Sequence, residues 1–284
     1  MHWSDLKESP EARWLGLELF VEPGDAPVRP SLHMQAAGRG FLRLMVRSSP
    51  LLWARVDRND LGYTYLRSDR AFSVLDPLTS LLSRAAEAPM GSPGYRSYWA
   101  RELAARLMAS PVSPLHPGRW WLLAGRGVAL EAGLQRAFPE AHTASSLAEI
   151  SSQPSLDRSR WDSSDELPPL ALRPLSPPDD DRVKAWRRSF REDTLPPVLM
   201  LWMSGLQRLV VLDGHDRLAA ALAEGGVPEV MILSLVDEDA TAPRPRLSRG
   251  WPLSGGPERW FEEVRRHIPE GAKAALSQAL LAST

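Results

Sequence analysis

The stretch LVVLDGHDRLAAALAEGG, residues 209–226, decides the fold prediction because it has the pattern of a strand that runs directly into a helix. Its first four residues are apolar and two are β-branched, which predicts a short buried strand over 209–212. Asp213 has the chemistry of a helix N-cap, and Asp216 can reach back as its capping-box partner. An apolar helical stripe follows, and Gly225 predicts the end of the helix.

The start of this helix is a predicted anion-binding site, because free backbone N–H groups and the helix dipole both favour a negative charge there. At about 100° per residue, His215 and Arg217 fall on the two flanks of the buried stripe, where both can reach a ligand. Helix capping alone explains Asp213 and Asp216. The alternative is therefore a structural helix that carries an exposed histidine and an exposed arginine.

Residues 213–220, DGHDRLAA, resemble the D-G-H-H-R-x-x-A signature of the ParB/sulfiredoxin-like superfamily. The preceding chain resembles that superfamily too, since an apolar segment, an amphipathic helix and a hairpin lead into the motif. The resemblance covers residues 166–240. It implies ATP or another nucleotide, with Mg²⁺, as the cofactor, and it implies that Gly214, His215 and Arg217 bind the phosphates.

Free-serine kinases of that superfamily carry the D-G-H-H-R form, so the resemblance implies a small-molecule kinase or a nucleotide hydrolase. Asp213 would contact Mg²⁺ or a substrate hydroxyl, because phosphoryl transfer needs charge neutralisation and an oriented nucleophile. These kinases also place an acidic catalytic residue in the loop before the first helix. The acidic run 179–181 lies in a comparable region, so Asp213 and Asp180 are the predicted catalytic residues. Asp216 replaces the second histidine of the signature.

A non-catalytic ParB-like binding or scaffold module is the alternative function. The ParB form of the motif, G-E-R-R-x-R-A, is matched here only at Gly214, Arg217 and Ala220. Residues 166–240 contain eight Lys and Arg against thirteen Asp and Glu, a net charge of −5. That charge makes a poor surface for duplex DNA, so the expected partners are a nucleotide and a small-molecule substrate rather than DNA.

The composition of all 284 residues is that of a globular chain, with 43% hydrophobic and 24% charged residues and a net charge of −1. The chain has no cysteine, which excludes disulfides, thiolate metal sites and cysteine nucleophiles. Its six histidines are scattered, so no metal site is predicted. We expect a cytoplasmic protein without membrane contact, because no membrane-spanning run or signal-peptide pattern is present.

The predicted fold class is α/β, with a ParB/sulfiredoxin-like domain preceded by a separate α/β region at residues 1–150. Alternating apolar residues predict strands at 15–21, 42–46 and 51–56. Asp-Pro at 76–77 and Ser-Pro at 92–93 predict helix starts.

Residues 120–127, WWLLAGRG, predict a plain strand-to-helix turn rather than a dinucleotide site, with a helix at 128–138. The Ser-, Asp- and Pro-rich residues 151–169 predict an exposed, protease-sensitive segment, and we assign 151–165 to the linker itself. The ParB/sulfiredoxin-like domain then occupies 166–240, and a C-terminal helical extension occupies 241–284.

Overall fold

The fold is taken from a computed structural model, which describes most of the chain. The described residues are 2–7, 14–27, 29–36, 40–57, 62–68, 72–78, 88–125, 156–160, 169–206, 208–238, 251–252, 259, 262–264 and 266.

Two sheets and three helices form the described part of the chain. The strands are β1 (His2–Lys7), β2 (Trp14–Val21), β3 (Leu32–Ala36), β4 (Phe41–Val46), β5 (Ser49–Asp57), β6 (Gly62–Arg67), β7 (Gly118–Ala124), β8 (Leu156–Arg160), β9 (Leu170–Ala171), β10 (Val198–Met203), β11 (Arg208–Asp213), β12 (Val230–Glu238) and β13 (Trp251–Pro252). The helices are α1 (Pro93–Ala109), α2 (Asp181–Arg191) and α3 (His215–Ala223). The mixture of helices and sheets confirms the broad α/β class.

The first sheet has seven strands in the order β1-β2-β7-β12-β10-β11-β9. β10 is parallel to β12 and antiparallel to β11, and β11 is parallel to β9. β7 pairs with both β2 and β12. Strands from both sides of the predicted linker 151–165 therefore share one sheet. The expectation of a separate N-terminal region is corrected on this point, because the apolar strand β7 is buried only between two neighbours.

The second sheet has six strands in the order β13-β3-β4-β5-β6-β8. β8 lies inside the predicted linker, where it pairs with β6 in antiparallel register. The linker prediction is therefore wrong for residues 156–160: backbone hydrogen bonds order this strand although its sequence is polar. The other residues of 151–165 lie outside the described part of the chain.

Helix α1 confirms the start predicted at Ser92-Pro93, since the Ser92 side chain accepts a hydrogen bond from the Tyr95 N–H. Its apolar face packs on β2 and β7 and completely buries Trp99 and Leu103. The helix predicted from residue 76 is not helical at 76–78 and otherwise lies outside the described residues, as does the helix predicted at 128–138. Residues 259, 262–264 and 266 of the predicted C-terminal helical extension are helical.

The strand and helix predicted within residues 209–226 are confirmed as β11 and α3. β9 and β11 are parallel, so their carboxyl ends open at the same edge of the sheet. Helices α2 and α3 pack together at that edge through a buried contact that includes Val183 and Ala220. No described helix has the length and apolar character to cross a membrane.

Candidate functional site

A cleft of about 880 Å³ lies at this edge of the sheet, between α2, the start of α3 and residues 72–78. Five of its lining residues are the predicted site residues Asp180, Asp213, Gly214, His215 and Arg217. The fold therefore brings all five sequence candidates to one cavity, although Asp180 is more than thirty residues away from the others along the chain.

The start of α3 differs from the prediction, because Gly214 rather than Asp213 is the N-cap. Gly214 has φ 91°, a left-handed conformation that favours glycine, and none of the described side chains caps the helix. A Cβ atom at Gly214 would lie 2.8 Å from Arg217 Nη2. Asp213 does not cap the helix because its carboxylate is engaged by other side chains. The start of α3 therefore faces the cleft without a side-chain cap.

Arg217 is buried, with only 4% of its surface exposed, and is not on an open flank of the helix as predicted. Its Nη2 donates to Asp213 Oδ2 at 2.7 Å and to the Pro197 carbonyl at 3.1 Å. Its guanidinium carbon lies 5.8 Å from the centre of the Trp186 ring of α2. Arg217 thus joins α3 to α2 and to the chain that leads into β10, in addition to lining the cleft.

Asp216 binds side chains that precede α2 and is not the predicted capping-box partner. It accepts hydrogen bonds from Arg173 Nη2 at 2.9 Å and from Ser176 Oγ at 2.8 Å. Burial raises the pKa of Asp216, but these hydrogen bonds outweigh burial and hold its pKa below the ordinary value. Asp216 is therefore an anion that holds the Arg173 guanidinium at the edge of the cleft.

Arg173 is the functional candidate that the sequence analysis missed. It directly follows β9 and lines the cleft, and 25% of its side chain is exposed, against 5% for Arg217. Its position beside α3 follows from the parallel pairing of β9 with β11, which local sequence patterns do not reveal. Because it keeps solvent contact, Arg173 is better placed than Arg217 to meet an anionic ligand.

His215 is 2% exposed, and its Nε2 has no hydrogen-bond partner within the described structure. Burial, followed by the nearby Arg173 cation, lowers its pKa to about 3. The expectation that its charge changes near pH 6.5 is therefore wrong, because the ring is neutral at that pH. An unpaired buried polar atom costs about 1–3 kcal/mol, so this nitrogen at the edge of the cleft is an unusual feature.

The other walls of the cleft combine polar and apolar groups. Asp180 accepts a hydrogen bond from the Arg182 N–H at 2.9 Å and so caps α2. Ser73 Oγ lies within hydrogen-bond distance of Asp213 Oδ1, at 3.2 Å, and of the Leu75 carbonyl, at 2.7 Å. The apolar part of the lining includes Phe72, Leu75, Leu78 and Trp186. The cleft therefore has charged groups at the start of α3 and an apolar surface beside them.

Within the described ranges, no three His, Cys, Asp or Glu side chains are grouped so that they could hold a metal ion. Asp213 and Asp216 are instead each paired with an arginine. A divalent cation can meet these carboxylates only if the arginines find other partners.

Comparison with known proteins returned no matching family model, no matching curated protein and no matching solved structure for this chain.

Proposed function

We propose that this chain binds a nucleotide in the cleft and contacts its phosphate groups at the start of α3. The observation that carries the proposal is the N-terminus of α3, which has no side-chain cap and opens onto the cleft beside Arg173 and the unpaired His215 Nε2. Backbone N–H groups and the helix dipole favour a phosphate at such a position.

Arg173 supplies the main cationic contact in this proposal. A guanidinium offers forked donors that match phosphate oxygens, and the Arg173 side chain keeps a quarter of its surface exposed. Arg182 also lines the cleft and is exposed at the first turn of α2. Arg217 supports the helix start through Asp213 and Pro197.

The apolar wall accounts for the rest of a nucleotide. Phe72, Leu75, Leu78 and Trp186 offer a surface on which a base can pack. The volume of about 880 Å³ lies within the range of about 300–1,000 Å³ that is usual for small-molecule sites. Phosphate donors at one end and an apolar wall at the other suit a ligand that carries both a phosphate and a ring.

The reaction proposed for this site is transfer of a phosphoryl group to a small molecule, or to water in a hydrolase. Asp213 and Asp180 are the proposed catalytic carboxylates, because both line the cleft and phosphoryl transfer needs a carboxylate to orient the nucleophile. Mg²⁺ would enter with the nucleotide. The hairpin of β10 and β11 that leads into the motif supports assigning residues 166–240 to a ParB/sulfiredoxin-like arrangement.

The binding proposal is tested by calorimetric titration of the full chain with ATP, ADP, CTP and GTP in Mg²⁺, with adenosine as the ligand that lacks phosphate. We expect Arg173→Ala to weaken nucleotide binding by about tenfold or more. Arg187→Ala is the matched control, because Arg187 also pairs with a carboxylate of α3, at 2.6 Å, and is similarly exposed at 32%, but does not line the cleft.

Equal nucleotide affinity in the parent, Arg173→Ala and Arg187→Ala would place the site elsewhere. Absence of binding by the parent to all four nucleotides would favour the non-catalytic scaffold alternative. Release of inorganic phosphate, with and without candidate hydroxyl substrates, then separates a hydrolase from a kinase. Asp213→Asn and Asp180→Asn should abolish that release if the two carboxylates are catalytic.

A further inference from the structure

The charged side chains that line the cleft nearly cancel, with a small excess of negative charge. Three arginines stand against four aspartates, and His215 adds no charge because its pKa is lowered to about 3. The charged set is Arg173, Arg182, Arg217, Asp76, Asp180, Asp213 and Asp216. A bare polyphosphate carries several negative charges, so the cleft as a whole does not attract it.

The two arginines nearest the start of α3 are already neutralised by carboxylates. Arg217 pairs with Asp213 at 2.7 Å, and Arg173 pairs with Asp216 at 2.9 Å. In each pair a carboxylate oxygen occupies the guanidinium donor that a phosphate oxygen would use. A phosphate that displaces a carboxylate leaves that carboxylate beside the phosphate, where the two like charges repel each other.

We propose that the cleft takes its ligand as a complex of polyphosphate with a divalent cation, by exchange of these ion pairs. Phosphate oxygens replace the Asp216 carboxylate on Arg173, and the cation neutralises the carboxylates that the exchange releases. This inference rests on the proposed function. It adds that the polyphosphate and the cation depend on each other for binding, because either one alone leaves a charged group of the cleft without a partner.

The buried His215 Nε2 is an independent observation at the same place. It is an unpaired polar atom on the first residue of α3, next to Asp216. A neutral imidazole can accept or donate a hydrogen bond without adding charge to the balance. The geometry therefore offers the ligand a neutral polar contact between the two exchangeable ion pairs.

The test is calorimetric titration of the full chain with tripolyphosphate, in Mg²⁺ or in EDTA. We expect the parent to bind at least about tenfold more tightly in Mg²⁺. Asp216→Asn keeps the side-chain shape but removes one carboxylate charge, so it should bind tripolyphosphate in EDTA about fivefold or more tightly than the parent. The gain from Mg²⁺ should shrink in that variant.

Glu224→Gln is the matched control, because it removes the carboxylate that pairs with Arg187 and Arg191 at the other end of α3. Its binding should keep the Mg²⁺ dependence of the parent. If Asp216→Asn fails to fold, Asp180→Asn is the second variant with the same expectation, since asparagine also caps a helix.

Three results would overturn the inference. Equal affinity of the parent in Mg²⁺ and EDTA would remove the mutual dependence and leave the proposed function standing. An unchanged Mg²⁺ dependence in the folded aspartate variant would exclude the exchange of ion pairs. Absence of binding by the parent to tripolyphosphate and to every nucleotide would overturn both the inference and the proposed function.

Discussion

The two ends of α3 carry similar ion pairs on different backbones. Asp216 at the start pairs with Arg173, and Glu224 at the end pairs with Arg187 and Arg191. At the end of the helix, the backbone closes on itself, since the Gly226 N–H donates to the Ala221 carbonyl at 2.9 Å. At the start, no such closure or described side-chain cap is present, and the backbone faces the cleft.

This difference shows that an arginine–carboxylate pair does not by itself mark a binding site. The pairs have nearly the same length and similar exposure, so the side chains alone do not distinguish the two ends. The distinction lies in the backbone and in the cavity beside it. Substitutions at matched positions of the two ends should therefore separate the contacts that stabilise the fold from those that serve a ligand.

The largest difference is expected between Arg217→Ala and Arg191→Ala. Removal of Arg217 leaves the Asp213 carboxylate, which is only 14% exposed, without its cation, so the free energy of unfolding should fall by about 3 kcal/mol or more. Arg191 is 55% exposed, and its loss should cost less than about 1 kcal/mol. Urea denaturation measures both values, and a near-parental result for Arg217→Ala would contradict the importance of its burial.

The second expected effect is acid destabilisation at the start of the helix. In the unfolded chain His215 binds a proton below about pH 6.5, but in the folded chain its pKa is about 3. The unfolded state therefore binds more protons between these values, and the free energy of unfolding falls as the pH is lowered. One such proton corresponds to about 2 kcal/mol between pH 6.5 and 5.

Comparison of the parent with His215→Gln isolates this contribution. The variant should show a shallower loss of stability between pH 6.5 and 5 in urea denaturation. Some loss should remain, because burial, and then the Arg29 cation, lower the pKa of His33 to about 4. Identical slopes for the parent and His215→Gln would mean that His215 titrates normally in the folded protein.

The two glycines that flank α3 offer a comparison of intermediate size. Both have left-handed backbones, with φ 91° at Gly214 and 71° at Gly225. Alanine at Gly225 meets no described atom within 4 Å and should cost about 1 kcal/mol for its backbone alone. Alanine at Gly214 also crowds the Arg217 guanidinium and should cost about 2 kcal/mol. Equal melting temperatures for the two variants would contradict the crowding.

The smallest effect is expected from the pair used to test ligand binding. Arg173→Ala and Arg187→Ala should each lower the free energy of unfolding by less than about 1 kcal/mol, because both arginines are partly solvated. Thermal melting of the two ligand-free variants measures this directly. A much larger loss for Arg173→Ala would show that its effect on binding is a consequence of unfolding.

Local patterns predicted the elements of the site better than its contacts. The apolar run before Asp213 and the small apolar residues after it are sufficient to define β11 and α3. The choice between Asp213 and its neighbour Gly214 as the N-cap depends on Arg217 and Ser73, which engage the aspartate. Ser73 is 140 residues away in the chain, so no local rule selects it.

The burial of His215 and Arg217 was missed for a related reason. Helical periodicity places both on the flanks of a single buried stripe, as in a helix with one face covered. In the fold, α2 packs along α3, and the Trp186 ring covers the Arg217 guanidinium. A helix with neighbours on more than one side buries its flanks, and only the tertiary arrangement shows how many neighbours it has.

The pairing of β7 with β12 has a consequence for the order in which the chain can fold. It connects residues 118–124 with 230–238, so during synthesis β7 waits for more than a hundred residues before its second neighbour leaves the ribosome. Until then its apolar residues Trp121 and Leu123 lie on an open strand edge, where chains can associate wrongly. Pairings this distant in sequence also slow folding, so the chain should refold more slowly than a helical protein of its size.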